Sequence, residues 1–265
     1  MKDPEFVDCL RDLSSEVHEL SSLLGEIDLS SWDKITPSEP WSIQDSIGHL
    51  AYFDRVQALA IEEAGAFQAI VERFFNFVGD PMEEHLKISR SQDPSETLAW
   101  WKSSSTLMRA AFQNLEGSEK LPWFGPPMRA ISALRARVME TWAHGQDIYD
   151  ALGLEREPTP RIYHVVYLGH RTVGWSFLSH GLEAPQGGIR FEIHTNDGKI
   201  WEFGDPDCQD VIVATALDLA LLVTQRRHRS DLIIEATGDN AKKWVEIAQV
   251  FAGPPGPGRK PLSEQ

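Results

Sequence analysis

Glu140 and His144 stand four residues apart in Glu140-Thr141-Trp142-Ala143-His144-Gly145-Gln146-Asp147. On an α-helix that spacing stacks a carboxylate and an imidazole on one face, one turn apart. A second stretch, Trp41-Ser42-Ile43-Gln44-Asp45-Ser46-Ile47-Gly48-His49-Leu50, supplies another imidazole early in a well-capped helix. Imidazole nitrogen and carboxylate oxygen are donors that a divalent cation such as zinc accepts. Three protein ligands leave a coordination position open, as in catalytic rather than closed structural sites. His49, Glu140 and His144 are therefore the candidate metal ligands. The plainer reading is that Glu-x-x-x-His is a common chance pattern and that isolated histidines are mostly structural or solvated.

Residues beside these three could support them. Asp147 lies one turn after His144, and Asp45 one turn before His49. Either could accept the proton of a free imidazole nitrogen and so fix the ligating tautomer. Arg137, one turn before Glu140, either attracts an anionic substrate or pairs with Glu140. Asp147 and Arg137 are the candidates for a catalytic role, and no residue is assigned one.

The elements that must position these residues follow from periodicity. Asp3-Pro4 reads as a cap followed by proline at the first helical position. Phe6, Leu10, Leu13, Val17, Leu20 and Leu24 then recur at helical spacing up to Gly25. Ser42 to Asp45 has the form of a capping box, and Ile43, Ile47, Leu50 and Ile61 mark a long second helix. Between Gly65 and Asp80 the apolar pattern implies a further helical piece or a bend. Asp93-Pro94 opens a third main helix carrying Leu98, Trp101, Leu107 and Ala111 to about Leu115. Leu121 to Pro127 holds three prolines and a glycine and must be an irregular loop. Its Trp123 and Phe124 suit a lid over the site or a hydrophobic anchor for the loop. The fourth main helix runs from about Met128 to Gly153. Four long helices over residues 1–155 predict an antiparallel bundle, with Glu140, His144 and His49 at the edge of its core.

After Pro158-Thr159-Pro160 the texture changes. Residues 161–180 read as one helix. Ile189, Phe191 and Ile193 alternate with polar residues as a strand, Asn196-Asp197-Gly198 signals a hairpin turn, and Ile200–Phe203 returns. Residues 210–225 look helical, 232–236 like a buried strand and 240–251 like a closing helix. A small α+β domain over 156–252 follows, with a Gly/Pro-rich tail at 253–265 expected to be disordered.

Composition excludes several classes. The chain has 265 residues, with 40 Asp plus Glu against 25 Lys plus Arg, a formal charge of -15. Such an acidic surface disfavours nucleic acid and anionic membrane as partners. Arg226-Arg227-His228-Arg229 is the one basic run, and it reads as cations at a helix C-terminus. The N-terminus lacks the apolar run of a signal peptide, and no stretch reaches the roughly 20 apolar residues of a membrane span. Only Cys9 and Cys208 occur, which argues against a disulfide framework. A cytoplasmic protein is expected.

The Trp41–Leu50 segment, the Glu140–Asp147 segment and the four-helix pattern resemble the N-terminal domain of mycothiol-dependent maleylpyruvate isomerases, a branch of the DinB-like metal-binding bundles. The resemblance spans about residues 5–155. It implies that His49, Glu140 and His144 bind a divalent metal, usually zinc with nickel as an alternative, beside an open position for a thiol or water. Residues 156–252 are more loosely similar to the sterol-carrier-like domain that accompanies such bundles, with Gly238-Asp239 the clearest trace. Within that family the chain resembles an uncharacterised actinobacterial-type subgroup.

Other residues invite plainer readings. His85, within Glu83-Glu84-His85, is expected to be a solvated helix residue rather than a member of the site. His164, His170, His180 and His194 have no partner at metal spacing. Ser103-Ser104-Ser105 lacks the elbow of a serine hydrolase. Three functions remain in view. The first is a zinc-dependent transferase or isomerase that activates a small, mycothiol-like thiol against an electrophile. The second is a metal-hydroxide hydrolase of an amide or ester with Asp147 as base. The third is a non-catalytic metal- or lipid-binding stress protein. The substrate and any homodimer are left open by the sequence.

Overall fold

The computed structural model describes residues 2–256 and 258–264. The chain divides into two compact units, Met1–Arg156 and Glu157–Gln265.

In the first unit, α1 (Pro4–Glu26) begins at Asp3, whose carboxylate accepts from the Glu5 amide. The reciprocal capping box at Ser42 and Asp45 starts α2 (Ile43–Glu62). The helical piece expected over 65–80 is α3 (Ala64–Phe75), and a further helix that the sequence did not announce, α4 (Pro81–Arg90), follows it. α4 has its own cap, Asp80 accepting from the Met82 amide at 2.8 Å, followed by Pro81. Next comes α5 (Pro94–Gln113), at whose start Glu96 accepts from the Asp93 amide. The proline-rich loop is irregular but is closed at its base by two-residue strands, β1 (Lys120–Leu121) and β2 (Met128–Arg129). α6 (Ala130–Leu152) ends where Gly153 turns left-handed at φ 68°.

The long helices α1, α2, α5 and α6 pack on one another. They share a core in which Phe6, Leu13, Leu20, Ile47, Leu50, Trp101, Phe112 and Leu134 are buried. On α5 the inward residue is Met108, while Leu107 is exposed. α4 lies against α2. Gly48 makes that approach possible, because a Cβ there would stand 2.4 Å from the Cβ of Ser89. The Gln44 amide group donates to the carbonyls of Ser89 and Gln92, and Arg90 pairs with Asp45 at 2.8 Å. These contacts clamp α4 to the helix that carries His49.

The second unit opens with α7 (Tyr163–Arg171) and α8 (Val173–Ser179) instead of one helix over 161–180. The break falls at Thr172, whose hydroxyl donates to the carbonyls of Leu168 and Gly169 and competes with the backbone ladder. β3 (Arg190–His194) and β4 (Ile200–Phe203) form the expected antiparallel pair, with Phe191 opposite Phe203. Residues 210–225 depart from the helical expectation. Val211–Thr215 is β5, parallel to β3, and only then does α9 (Ala216–Val223) begin. Thr215 ends the strand and caps the helix, accepting from the Asp218 amide at 3.0 Å. β6 (Ile234–Thr237) starts later than expected, since Ile233 is exposed, and α10 (Asp239–Ile247) follows. The sheet order is β4-β3-β5-β6. The arginines after α9 donate to backbone carbonyls, Arg226 to Thr224 and Arg229 to Leu232. The tail expected to be disordered is hydrogen-bonded to this unit, through the Arg259 side chain to the Gln225 carbonyl and the Leu262 amide to Asp231. Pro257 and Gln265 lie outside the described residues.

Candidate metal centre

His49 projects from the second turn of α2, and Glu140 and His144 from the middle of α6. One ligand atom from each lies within 4.8 Å of the others. His49 Nε2 is 3.9 Å and His144 Nε2 3.6 Å from the same oxygen, Glu140 Oε2. Both separations exceed a hydrogen bond. Donors bound at 2.0–2.2 Å to one tetrahedral ion stand about 3.4 Å apart, so the spacing suits a shared divalent cation better than a direct pair. Among the described residues no other group of three or more His, Cys, Asp and Glu side chains converges in this way.

The protonation states agree with that donor set. Burial pushes the His49 imidazole down to about 3, against the opposing pull of Glu140. Burial also works against ionisation of Glu140, but the polar imidazoles of His144 and His49 beside it outweigh this and hold the carboxyl well below its usual range. A neutral imidazole beside an ionised carboxylate is the form in which these groups bind metal. The Glu140 side chain is 25% exposed, against 12% for His49 and 8% for His144. The open side of the cluster is therefore at Glu140.

The surroundings follow the sequence in part. Asp147 is fully buried, and its Oδ2 is 3.6 Å from Nδ1 of His144. Ser38 donates to the same oxygen at 2.9 Å. Asp147 thus sits behind His144, on the ring edge opposite Glu140. Asp45 does not face His49. It is spent on the α2 cap and on Arg90. The position beside His49 belongs to His85, whose Nε2 is 3.2 Å from His49 Nδ1. His85 is 4% exposed, so the expectation of a solvated residue is overturned. Burial lowers its imidazole to about 4. Arg137 neither pairs with Glu140 nor faces the open side. It is buried in an ion pair with Asp54 at 2.8 Å, and Asp54 also accepts from the Trp101 indole.

Aromatic rings complete the enclosure. Trp41 stacks on His144, with centroids 5.8 Å apart and planes at 17°, and also lies 5.0 Å from His49. Phe53, one turn after His49, covers that ring at 4.7 Å. Trp123 and Phe124 pack against Phe53 and Phe67. They anchor their loop in an aromatic cluster and reach the histidines through Phe53. Trp41, Phe53 and Ser38 carry no role assigned from spacing or motif. Phe53 was visible as the i+4 neighbour of His49, whereas Trp41 and Ser38 come from a loop whose path no periodicity reports. In the second unit His170 is held between Phe191 and Phe203, and His194 faces Glu192.

Fold and site together define a two-unit protein in which helices gather a His–Glu–His cluster and a separate α+β unit follows. The chain belongs to the mycothiol maleylpyruvate isomerase N-terminal domain family, whose sequence model matches residues 13–149. It is 38% identical over 252 residues to uncharacterized proteins from two strains of Mycobacterium tuberculosis, covering 94% of this chain and 96% of theirs. Its fold is similar to the crystal structure of the mycothiol-dependent maleylpyruvate isomerase, with a TM-score of 0.56, 14% identity, and coverage of 95% of this chain and 96% of that one. A mutant of the same isomerase gives a TM-score of 0.57. No helix among the described residues is long and apolar enough to cross a membrane.

Proposed function

We propose that this chain is a cytoplasmic, divalent-metal-dependent enzyme, with zinc held by His49, Glu140 and His144, that activates a low-molecular-weight thiol of the mycothiol kind. The thiol would act on a small electrophile in an isomerisation or group transfer. In this reading α1, α2, α5 and α6 form a DinB-like antiparallel bundle and the second unit is sterol-carrier-like. The observation that carries the proposal is the convergence of three donors on one point with no direct hydrogen bond between them. Membership in a family named for a mycothiol-dependent isomerase supports the choice of thiol.

Zinc at such a site supplies a Lewis acid that keeps a bound thiol as its thiolate near neutral pH. The chain's own residues do the rest. Burial keeps His49 neutral and available as a donor. Trp41 and Phe53 wall the histidines with apolar surface and limit water to the Glu140 side. Asp147 orients His144 from behind. The hydrolase alternative needs a base facing the open side, and Asp147 lies on the far edge of His144, fully buried.

Metal analysis of the purified protein tests the proposal, with nickel and zinc distinguished in one measurement. One equivalent of zinc is expected, and His144→Ala should abolish its retention. The cobalt-substituted protein should change its visible spectrum on titration with mycothiol. Stoichiometric metal with an unchanged spectrum would remove the thiol from the proposal. A metal-free protein that takes up no divalent cation would sink it altogether.

A further inference from the structure

We propose that His85 is the positioning residue of this site: it accepts the Nδ1 proton of His49 and thereby turns the Nε2 lone pair of His49 toward Glu140 and His144. This rests on the metal-binding reading above. The direction of the hydrogen-bond chain follows from its far end. His85 Nδ1 lies 3.5 Å from the carbonyl oxygen of Pro81, and a carbonyl can only accept. A neutral imidazole has one donor and one acceptor nitrogen. With Nδ1 donating to Pro81, Nε2 of His85 carries the lone pair, and it faces Nδ1 of His49 at 3.2 Å. His49 must then carry its proton on Nδ1, leaving Nε2 bare on the side of the cluster.

The arrangement is built rather than incidental. His85 sits on α4, a turn from the Gly48–Ser89 contact that lets the two helices close. The Gln44 bonds to Ser89 and Gln92 and the Asp45–Arg90 pair hold the same C-terminal end of that helix. Tyr52 stacks on the His85 ring at 4.9 Å and fixes its plane. His85 is not a fourth ligand. It addresses the nitrogen of His49 that points away from Glu140. A cavity of about 440 Å³, lined by Tyr52, Phe74, Ile88 and His85 but not by His49, gives a replacement side chain room to settle.

The test compares His85→Leu with His85→Gln, whose side-chain oxygen can take the place of Nε2 as acceptor. Two readouts are used. The first is the ¹⁵N spectrum of the histidines in metal-free protein, which reports the tautomer of His49. The second is zinc affinity by competition with a chromogenic chelator. Wild type should show His49 protonated on Nδ1. His85→Leu should shift it toward the Nε2-protonated form and weaken zinc binding by about 10- to 100-fold, with an unchanged far-UV circular dichroism spectrum. His85→Gln should recover most of the affinity. Unchanged zinc binding in His85→Leu, an Nε2-protonated His49 in wild type, or a His85→Gln as weak as His85→Leu would each overturn the assignment. If wild type binds no divalent cation, the metal reading fails alone, and the tautomer spectrum still decides the role of His85.

Discussion

Gly48→Ala is the most informative single perturbation, because it acts on the geometry of the site without touching a candidate ligand. A Cβ at position 48 would lie 2.3 Å from the Ser89 hydroxyl and 2.4 Å from its Cβ. The hydroxyl can rotate away, but the Cβ cannot. Restoring a contact of about 3.5 Å requires α4 to retreat from α2 by about 1 Å. Overpacking of this kind costs about 1–3 kcal/mol. Alanine in place of a mid-helix glycine returns about 1 kcal/mol of helix propensity, so the net loss is about 0–2 kcal/mol. In a domain of this size that lowers Tm by about 2–4 °C per kcal/mol. The same retreat stretches the His49–His85 contact from 3.2 Å beyond hydrogen-bonding reach. Zinc affinity should therefore fall about tenfold or more, more than the stability loss alone suggests. The reciprocal pair Gly48→Ala/Ser89→Gly removes the clash and should restore both quantities. Thermal melts of metal-free protein and chelator competition measure them. A Gly48→Ala protein that melts and binds zinc like wild type, or a double variant that recovers neither, would refute the clamp.

The remaining predictions address the neighbours of the cluster. Arg137→Met should destabilise the protein by about 3–5 kcal/mol, because it strips the ion-pair partner from buried Asp54. Asp54→Leu/Arg137→Met should regain much of that loss, as read by urea denaturation. A stable Arg137→Met variant would return Arg137 to the list of catalytic candidates. Asp147→Asn should weaken zinc binding by about 10- to 100-fold while leaving the fold intact, and unchanged affinity would remove Asp147 from the support of His144. The pH dependence has a definite sign. His49 and His85 stay neutral in the folded protein down to about 3 and about 4, while in the unfolded chain they take protons near 6.5. Metal-free stability is therefore full above about pH 6.5 and falls as pH drops from there toward 4. Glu140, held below its ordinary value, adds to the loss only beneath 4.5. Urea midpoints should decrease on acidification through this window, and less steeply in His85→Gln; midpoints that rise would contradict the burial of the two rings.

What a stretch of sequence reports about its surroundings is limited by range. Helical spacing reports neighbours on one helix, so the Glu140–His144 pair and the Asp147 behind it were visible as a register. Caps are equally local, and Asp3-Pro4, Ser42–Asp45 and Gly153 mark element ends that the structure keeps. The Thr215 cap shows the opposite case. A strand feeds directly into a helix there, and averaging over both made Val211–Thr215 look helical. Asp45 and Asp147 had the same one-turn relation to a histidine, yet only Asp147 lies beside one, because Asp45 was captured by Arg90 from another helix.

By itself, then, the amino-acid sequence determined the one-turn register of Glu140, His144 and Asp147, the caps at Asp3, Ser42 and Gly153, and that His49, Glu140 and His144 occupy positions able to converge. Tertiary structure decided what faces them. It brought His85 to His49, gave Arg137 to Asp54 and laid Trp41 on His144. The reason is range. Caps and i to i+4 relations are set by a few consecutive residues. The approach of α4 to α2 depends instead on a missing side chain at Gly48 meeting Ser89, 41 positions later in the chain.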